Sequence, residues 1–232
     1  MKFLNLIKRI IPMLQSTTIK FLQQLKKNNN RLWFEENRKS YEAAKTDFTA
    51  FVDQLIAGIT KFDAPIGELK AKDCMFRINR DVRFSKDKSP YKSNMGASFS
   101  RAGKKADEAG YYFHFEPGAS FAGGGIYMPQ APTLAKIRQE IDYSFDEFKK
   151  ITENKTFKKY FPKGLEVIDM LSRPPKGYDE TNPAIHYLKM KSFFVSSPFT
   201  DAMLQEKNIS KEIIKAFEAM KPLIDFFNNA VE

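Results

Sequence analysis

The middle of the chain alternates apolar and polar side chains at every second position, which is the pattern of β-strands with one buried face. In residues 110–116, one side carries Tyr111, Phe113 and Phe115, and the other carries Tyr112, His114 and Glu116. The pattern predicts strands over residues 73–80, 93–100, 110–116 and 120–128, with a further buried strand over residues 192–196. Three consecutive glycines at 123–125 lie inside the fourth of these. They indicate a bulge, or a place where backbone or ligand comes close.

Both ends of the chain instead repeat apolar residues every three or four positions, as helices packed on a core do. We expect a long helix over residues 31–60 and a final helix over residues 210–229. Strands in the middle and helices at the ends predict an α+β fold. Its central, mostly antiparallel sheet would have about four to six strands, packed by the N-terminal and C-terminal helices. We expect residues 13–232 to form a single domain after an N-terminal extension over residues 1–12, with Met13 as an alternative start.

The composition limits the classes of partner without choosing among them. Lys and Arg number 38 against 28 Asp and Glu, so the formal net charge is +10. This charge suits nucleic acid, an anionic membrane or an acidic small molecule. No apolar run approaches the roughly 20 residues of a membrane helix, so we expect no membrane association. The single cysteine, Cys74, lies on the apolar side of a predicted strand. We interpret it as a core residue and expect a cytoplasmic protein.

The densest positive charge lies in residues 76–92, FRINRDVRFSKDKSPYK. Its six cations are Arg77, Arg80, Arg83, Lys86, Lys88 and Lys92, and its two anions are Asp81 and Asp87. Pro90 cannot donate to a sheet, so we expect the second half of the run to leave the strand as a turn. Arginine forks and lysine ammonium groups suit the capture of phosphate or carboxylate. The same charges also fit a solvated turn in which the two aspartates pair with neighbouring cations.

Six motifs in chain order resemble those of a known family. They are NNNRLWFEENRKSYE (28–42), FRINRDVRFSKDKSPYK (76–92), GYYFHFEPG (110–118), GGGIYMP (123–129), LAKIRQEI (134–141) and HYLKMKSFF (186–194). Over about residues 14–230 the chain is similar to the domain of unknown function 2461, a group of conserved bacterial proteins with fungal relatives. The resemblance implies membership of this family and no particular reaction, so whether the protein is an enzyme is left open.

The residues that match the family's motifs are mostly cations. They are Arg77, Arg80, Asp81, Arg83, Lys86, Lys88, Pro90, Tyr91, Lys92, Tyr112, Gly124, Gly125, Arg138, Lys189 and Lys191. Because clustered Arg side chains recognise anions, the resemblance implies an anion-binding site. It would hold a phosphate- or carboxylate-bearing small molecule, with Arg138 and Lys191 added to the central run, Tyr91 and Tyr112.

Residues suited to acid–base or metal chemistry are few. The chain has two His and one Cys, so we predict no metal site and no cofactor. If the pocket is catalytic, Asp81 or His114 would carry protons. Two alternatives remain open. One is a nucleic-acid-binding protein that uses its basic surface and stacking aromatic residues. The other is a structural or interaction domain without a ligand.

Overall fold

The computed structural model describes residues 13–101, 103–104 and 107–232. The expected extension over residues 1–12 lies outside the described residues. The helices are α1 (Ser16–Lys27), α2 (Arg31–Glu36), α3 (Arg38–Ile59), α4 (Ala71–Cys74), α5 (Ala131–Tyr143), α6 (Phe145–Thr152), α7 (Lys155–Tyr160), α8 (Ile185–Leu188), α9 (Asp201–Leu204) and α10 (Ile209–Val231), with a 3-10 helix at Ala64–Glu68. The strands are β1 (Met95–Phe99), β2 (Gly110–Phe115), β3 (Ser120–Ile126) and β4 (Phe193–Phe199).

The four strands form one antiparallel sheet in chain order, β1-β2-β3-β4. The register places Ser98 opposite Tyr112, and Tyr112 opposite Gly123. Helices α5 to α8 lie in the connection between β3 and β4. The α+β prediction is therefore confirmed, and the number of strands is the lower end of the expected range.

Helices α3 and α10 cover one face of the sheet. On β2, the ring of Phe113 lies 5.4 Å from Phe51 of α3, and the ring of Tyr111 lies 5.4 Å from Phe217 of α10. At Gly124 of β3, an added Cβ would lie 2.4 Å from the sulfur of Met220. A glycine is thus needed there for α10 to pack this closely. The side chains that alternate with these residues point away from α3 and α10.

The predicted strand over residues 73–80 is wrong. Its first residues end helix α4, and the rest of it pairs only at isolated bridges, Met75 with Ala97 and Asn79 with Tyr91. Period-two alternation was misleading because the segment bonds to β1 near Met75 and Phe76 and then to residues 90–92 of its own run, so it forms no continuous ladder with the sheet. Cys74 nevertheless lies in the core, and burial raises the pKa of its thiol to about 12.

The predicted helix over residues 31–60 is broken into two helices. Helix α2 ends at Glu36 and α3 begins at Arg38, with Asn37 between them at φ −102°. The Asn37 side chain donates to the carbonyl oxygen of Trp33 at 2.9 Å. An asparagine side chain that bonds to the local backbone competes with continuous helix, which explains the break.

Two phenylalanines, one buried and one exposed, allow this packing to be tested. Phe113 is fully buried, whereas Phe84 of the 76–92 run is 95% exposed. We expect Phe113→Ala to lower the free energy of unfolding by about 3–5 kcal/mol, through lost transfer energy and a residual cavity. Phe84→Ala should change it by less than about 0.5 kcal/mol. Chemical denaturation of both variants measures the difference, and equal losses would contradict this packing.

Candidate functional site

A cavity of about 540 Å³ opens on the sheet face turned away from α3 and α10, and we call it the sheet cavity. Three segments surround the exposed strand residues. Phe76 and Lys92 line the cavity from the 76–92 run, Lys104 and Asp107 from the loop between β1 and β2, and Tyr127 from the end of β3. Residues far apart in the chain therefore meet at one place on the sheet.

Glycines make the floor of the cavity. At Gly96 of β1, an added Cβ would lie 2.5 Å from the hydroxyl oxygen of Tyr112, so that the phenol uses the space above this glycine. Gly125 of β3 has φ +118°, and an added Cβ would lie 2.0 Å from the carbonyl oxygen of Phe193. The glycine run at 123–125 thus marks close approaches, with a left-handed backbone at its last residue.

Aromatic rings make most of the apolar wall. Ring centroids lie 6.2 Å apart for Phe76 and Tyr112, 5.8 Å for Tyr112 and Phe121, and 6.1 Å for Phe121 and Phe194. Tyr127 continues the series at 6.4 Å from Phe194. The wall therefore offers ring faces and edges to a bound apolar group.

Lys92 places a positive charge in the cavity without a negative partner. Its ammonium nitrogen lies 5.5 Å from the centroid of the Phe76 ring and forms no ion pair with any described residue. Partial burial, followed by the nearby Arg77 charge, lowers the pKa of Lys92. Both effects disfavour the ammonium form, and no carboxylate offsets them.

The loop between β1 and β2 supplies both signs of charge. Lys104 donates to the carbonyl oxygens of Met75 at 2.8 Å and Lys72 at 3.4 Å, which attaches the loop to the 76–92 side of the cavity. Asp107 and Glu108 also line the cavity. The Asp107 carboxylate accepts from the backbone nitrogen of Gln130 at 3.1 Å and also from Thr133. Asp107 is therefore held at the start of α5.

Two side chains of β2 and Glu116, which follows its last residue, form a chain of hydrogen bonds beside the cavity. The Tyr112 hydroxyl lies 3.1 Å from Nδ1 of His114, and Nε2 of His114 lies 3.2 Å from Oε2 of Glu116. The other Glu116 oxygen accepts from Ser93 at 3.0 Å and from Lys26 at 3.3 Å. Tyr112 is the member of this hydrogen-bond series that lines the cavity.

The surroundings of Tyr112 and Glu116 determine the charge at the two ends of this hydrogen-bond series. Burial raises the pKa of Tyr112 to about 12. Burial also acts to raise the pKa of Glu116, but hydrogen bonds from His114, Ser93 and Lys26 outweigh it, so that the pKa lies below its ordinary value. Tyr112 is therefore a neutral phenol and Glu116 a carboxylate near neutral pH.

Most cations of the 76–92 run lie outside the sheet cavity. Arg80 pairs with Asp87, and Arg83 donates from Nη2 to Asp81 at 2.7 Å. Lys88 donates to the carbonyl oxygen of Val82 at 3.0 Å. Lys86 is exposed. The structure therefore contains the solvated turn that the sequence allowed as the simpler interpretation.

The other residues that the sequence predicted to bind a ligand also lie partly inside and partly outside the sheet cavity. Lys191 pairs with Asp169 at 2.9 Å, and Arg138 donates to the carbonyl oxygen of Met190 at 3.0 Å. Tyr91 is buried and stacks on Phe34, with ring centroids 3.9 Å apart. Lys92 and Tyr112 are the two predicted ligands that line the sheet cavity, and Arg77 lies close enough to Lys92 to lower its pKa.

The two candidate proton carriers have different surroundings. Asp81 is exposed and engaged by Arg83, whose hydrogen bonds lower the pKa of its carboxyl. His114 is half-buried and contacts the cavity through Tyr112. Sequence reasoning missed Lys104, Phe76, Phe121 and Phe194 as lining residues. Phe121 and Phe194 lie on predicted strands, but alternation did not indicate that their face of the sheet would be open, and Phe76 and Lys104 lie outside the strands.

A scan of protein families matches residues 17–226 to the family described as "Conserved hypothetical protein (DUF2461)". The chain belongs to this family, as its motifs indicated. Searches of curated proteins and of solved structures found no match. Among the residues that the structure describes, no three His, Cys, Asp or Glu are grouped to hold a metal ion. No helix in the described ranges is long and apolar enough to cross a membrane.

The Arg80–Asp87 pair gives a testable titration. Hydrogen bonds from Ser89 and the pairing with Arg80 lower the pKa of Asp87 to about 2. The stability contributed by this carboxylate is therefore present above the ordinary Asp pKa of about 3.9 and is lost as the pH falls through about 2. Carbon NMR of the carboxyl should show this midpoint in the native protein.

Arg80→Ala should raise the Asp87 midpoint, while the Ser89 hydrogen bonds keep it below the ordinary value. Arg83→Ala is the matched control, because it should raise the midpoint of Asp81 and leave that of Asp87 in place. An unchanged Asp87 midpoint in Arg80→Ala would show that Arg80 is not held by this aspartate.

Proposed function

We propose that the sheet cavity binds a small organic molecule that carries a carboxylate or phosphate group. The anionic group would lie at Lys92, and the apolar body would lie among the aromatic rings. The observation that carries this proposal is Lys92, a partly buried ammonium group that lines the cavity and has no ion-pair partner among the described residues.

An anion at Lys92 would supply the missing counter-charge. Burying a cation without a partner is unfavourable, and the nearby Arg77 adds repulsion. A bound anion reverses both effects, since it favours the ammonium form and is itself attracted by two positive groups. Lys104 adds a further ammonium group to a lining that also contains Asp107 and Glu108, so Lys92 is the cation to which we assign the anionic group.

The rest of the cavity favours a compact, partly aromatic body. Its volume of about 540 Å³ lies within the range of small-molecule sites, roughly 300–1,000 Å³. Phe76, Phe121 and Phe194 present rings to the interior, and Ser98 and Asn94 provide uncharged polar contacts. Such a lining suits a planar acid better than a highly charged polyanion.

This proposal is narrower than the expectation from the sequence. Arg80, Arg83 and Lys191 each have an aspartate partner of their own. A ligand at these side chains would have to displace a carboxylate, whereas a ligand at Lys92 displaces none. The binding of nucleic acid, and a purely structural role, are the alternatives that the experiment below separates from it.

Thermal denaturation with benzoate, phenyl phosphate and a single-stranded oligonucleotide tests the proposal. At a concentration of 100 times the dissociation constant, a small-molecule ligand adds about 2.7 kcal/mol of stability. For a chain of this size that is a rise in melting temperature of roughly 5–10 °C. We expect at least one of the two small aromatic anions to produce such a rise and the oligonucleotide to produce none.

Lys92→Met should abolish this response and leave the melting temperature without ligand unchanged or higher, because it removes a poorly compensated cation. Lys86→Met is the matched control, since Lys86 is exposed on the same run and does not line the cavity. A full response in Lys92→Met would overturn the proposal. Stabilisation by the oligonucleotide alone would favour a nucleic-acid-binding protein, and no stabilisation by any probe would favour a structural role.

A further inference from the structure

We propose that the sheet cavity is an active site in which Tyr112 is the catalytic residue, exchanging a proton with the bound molecule, while His114 and Glu116 position it and accept its own proton. This inference rests on the proposed function, because it requires a small molecule in the cavity. It adds a reaction type, acid–base catalysis, that small-molecule binding alone does not imply.

The Glu116 carboxylate fixes the direction of the bond that it shares with His114. A carboxylate can only accept, so Nε2 of His114 carries the hydrogen that joins them. In the relay the imidazole is neutral, so that Nδ1 accepts from the Tyr112 hydroxyl over 3.1 Å. The order is therefore phenol to imidazole to carboxylate, with Ser93 and Lys26 holding the Glu116 end.

This order leaves the Tyr112 oxygen able to accept a further hydrogen bond. Its own hydrogen points to His114, and Gly96 beneath it contributes no side chain. Tyr112 lines the cavity, as do Lys92 and Phe76. A molecule bound there can therefore present an O–H or an acidic C–H group to a phenol oxygen whose lone pairs are unused.

The proton transfer balances without a further reactant. The X–H bond of the bound molecule breaks, its proton goes to the Tyr112 oxygen, and X keeps the electron pair. The original phenol proton goes to Nδ1 of His114, and Glu116 stabilises the resulting imidazolium. In the reverse step the imidazolium returns its proton to Tyr112, which then protonates X. The raised pKa of Tyr112 means that the phenol is protonated at the end of each cycle.

The positive groups of the cavity limit the class of substrate. The developing charge on X is negative, and Lys92, which lines the same cavity as Tyr112, favours negative charge there. The substrate class that fits is a small carboxylic or phosphoric acid with an aromatic or apolar body and a hydroxyl or carbonyl-activated C–H group. Such a molecule satisfies the cations, the rings and Tyr112 together.

A reactive probe tests the relay before the natural substrate is identified. In para-(fluorosulfonyl)benzoate, the carboxylate and ring match the cavity and the sulfonyl fluoride reacts with activated tyrosines. The Tyr112 oxygen forms the S–O bond, the S–F bond breaks with loss of fluoride, and the phenol proton goes to Nδ1 of His114. Mass spectrometry of digested protein identifies the labelled residue, and time courses give its rate.

We expect Tyr112 to be labelled faster than Tyr127, the exposed tyrosine of the same cavity, which serves as the internal control. His114→Gln should slow the labelling of Tyr112 by roughly a hundredfold, since a positioned proton acceptor contributes about that factor or more. Glu116→Gln should slow it by about tenfold or more on the same principle. Neither change should alter the rate at Tyr127.

A second variant tests positioning without removing a member of the chain. In Gly96→Ala the new methyl group would displace the Tyr112 hydroxyl, whose oxygen would lie 2.5 Å from it. Its labelling rate at Tyr112 should fall as it does in His114→Gln. Nitrogen NMR of His114 provides a readout that a packing role would not move: the native imidazole should carry its hydrogen on Nε2, and Tyr112→Phe should shift the Nδ1 resonance.

The outcomes separate this inference from the proposed function. The unreactive analogue para-sulfamoylbenzoate measures binding alone by thermal denaturation. If neither this analogue nor the anions tested above stabilise the protein, the proposed function fails and this inference fails with it. If the analogue binds but Tyr112 reacts no faster than Tyr127, or reacts as fast in His114→Gln, the relay is overturned and the binding site remains.

Discussion

One-sided packing of the sheet is the constraint on which the rest of the structure depends. Helices α3 and α10 cover the face that carries Phe113 and Gly124, and the close approach of Met220 at Gly124 brings α10 directly onto β3. Because strand side chains alternate, burying one face leaves the other to carry its own set of residues. That second face holds the cavity, which Tyr112 lines.

The electrostatics of the molecule follow from how far apart charged residues lie in the chain. Charges a few residues apart on the 76–92 turn neutralise each other, as Arg83 does with Asp81. Lys92, in the sheet cavity, has no ion-pair partner among the described residues, although Asp107 and Glu108 also line this cavity. Net charge by itself therefore does not indicate where an unpaired cation lies. The informative quantity is the charge that local pairing leaves uncompensated in a partly buried place.

The alternation of side chains along a strand also produces the hydrogen-bond chain that begins on β2. Residues two apart on a strand share a face, so Tyr112, His114 and Glu116 lie in line and each side chain can contact the next. The chain can lie flat because the neighbouring strand places Gly96 beneath the phenol. A polar network on one strand is thus oriented by the absence of a side chain on the next strand.

Several features were predictable from local pattern. Four of the five predicted strands, the final helix, the burial of Cys74 and the grouping of Tyr112 with His114 follow from periodicity, which depends only on near neighbours. The predicted strand at 73–80 failed because the same alternation occurs in an irregular edge segment, and the helix break at Asn37 depends on a single side-chain hydrogen bond. Lys104 was not predicted because its loop shows no periodic pattern of apolar residues.

By itself, the sequence determined the fold class, the family and the alternation of faces along the four strands of the sheet, because these depend on composition and on spacing of two or three to four residues. Tertiary structure alone decided that the face bearing Tyr112 stays open, that Lys104 and Lys92 both line the cavity there, and that Arg80 and Arg83 pair with Asp87 and Asp81. These outcomes depend on contacts between segments far apart in the chain and on the competition between nearby charges. Neither the long-range contacts nor the competition between charges produces a periodic pattern in the sequence.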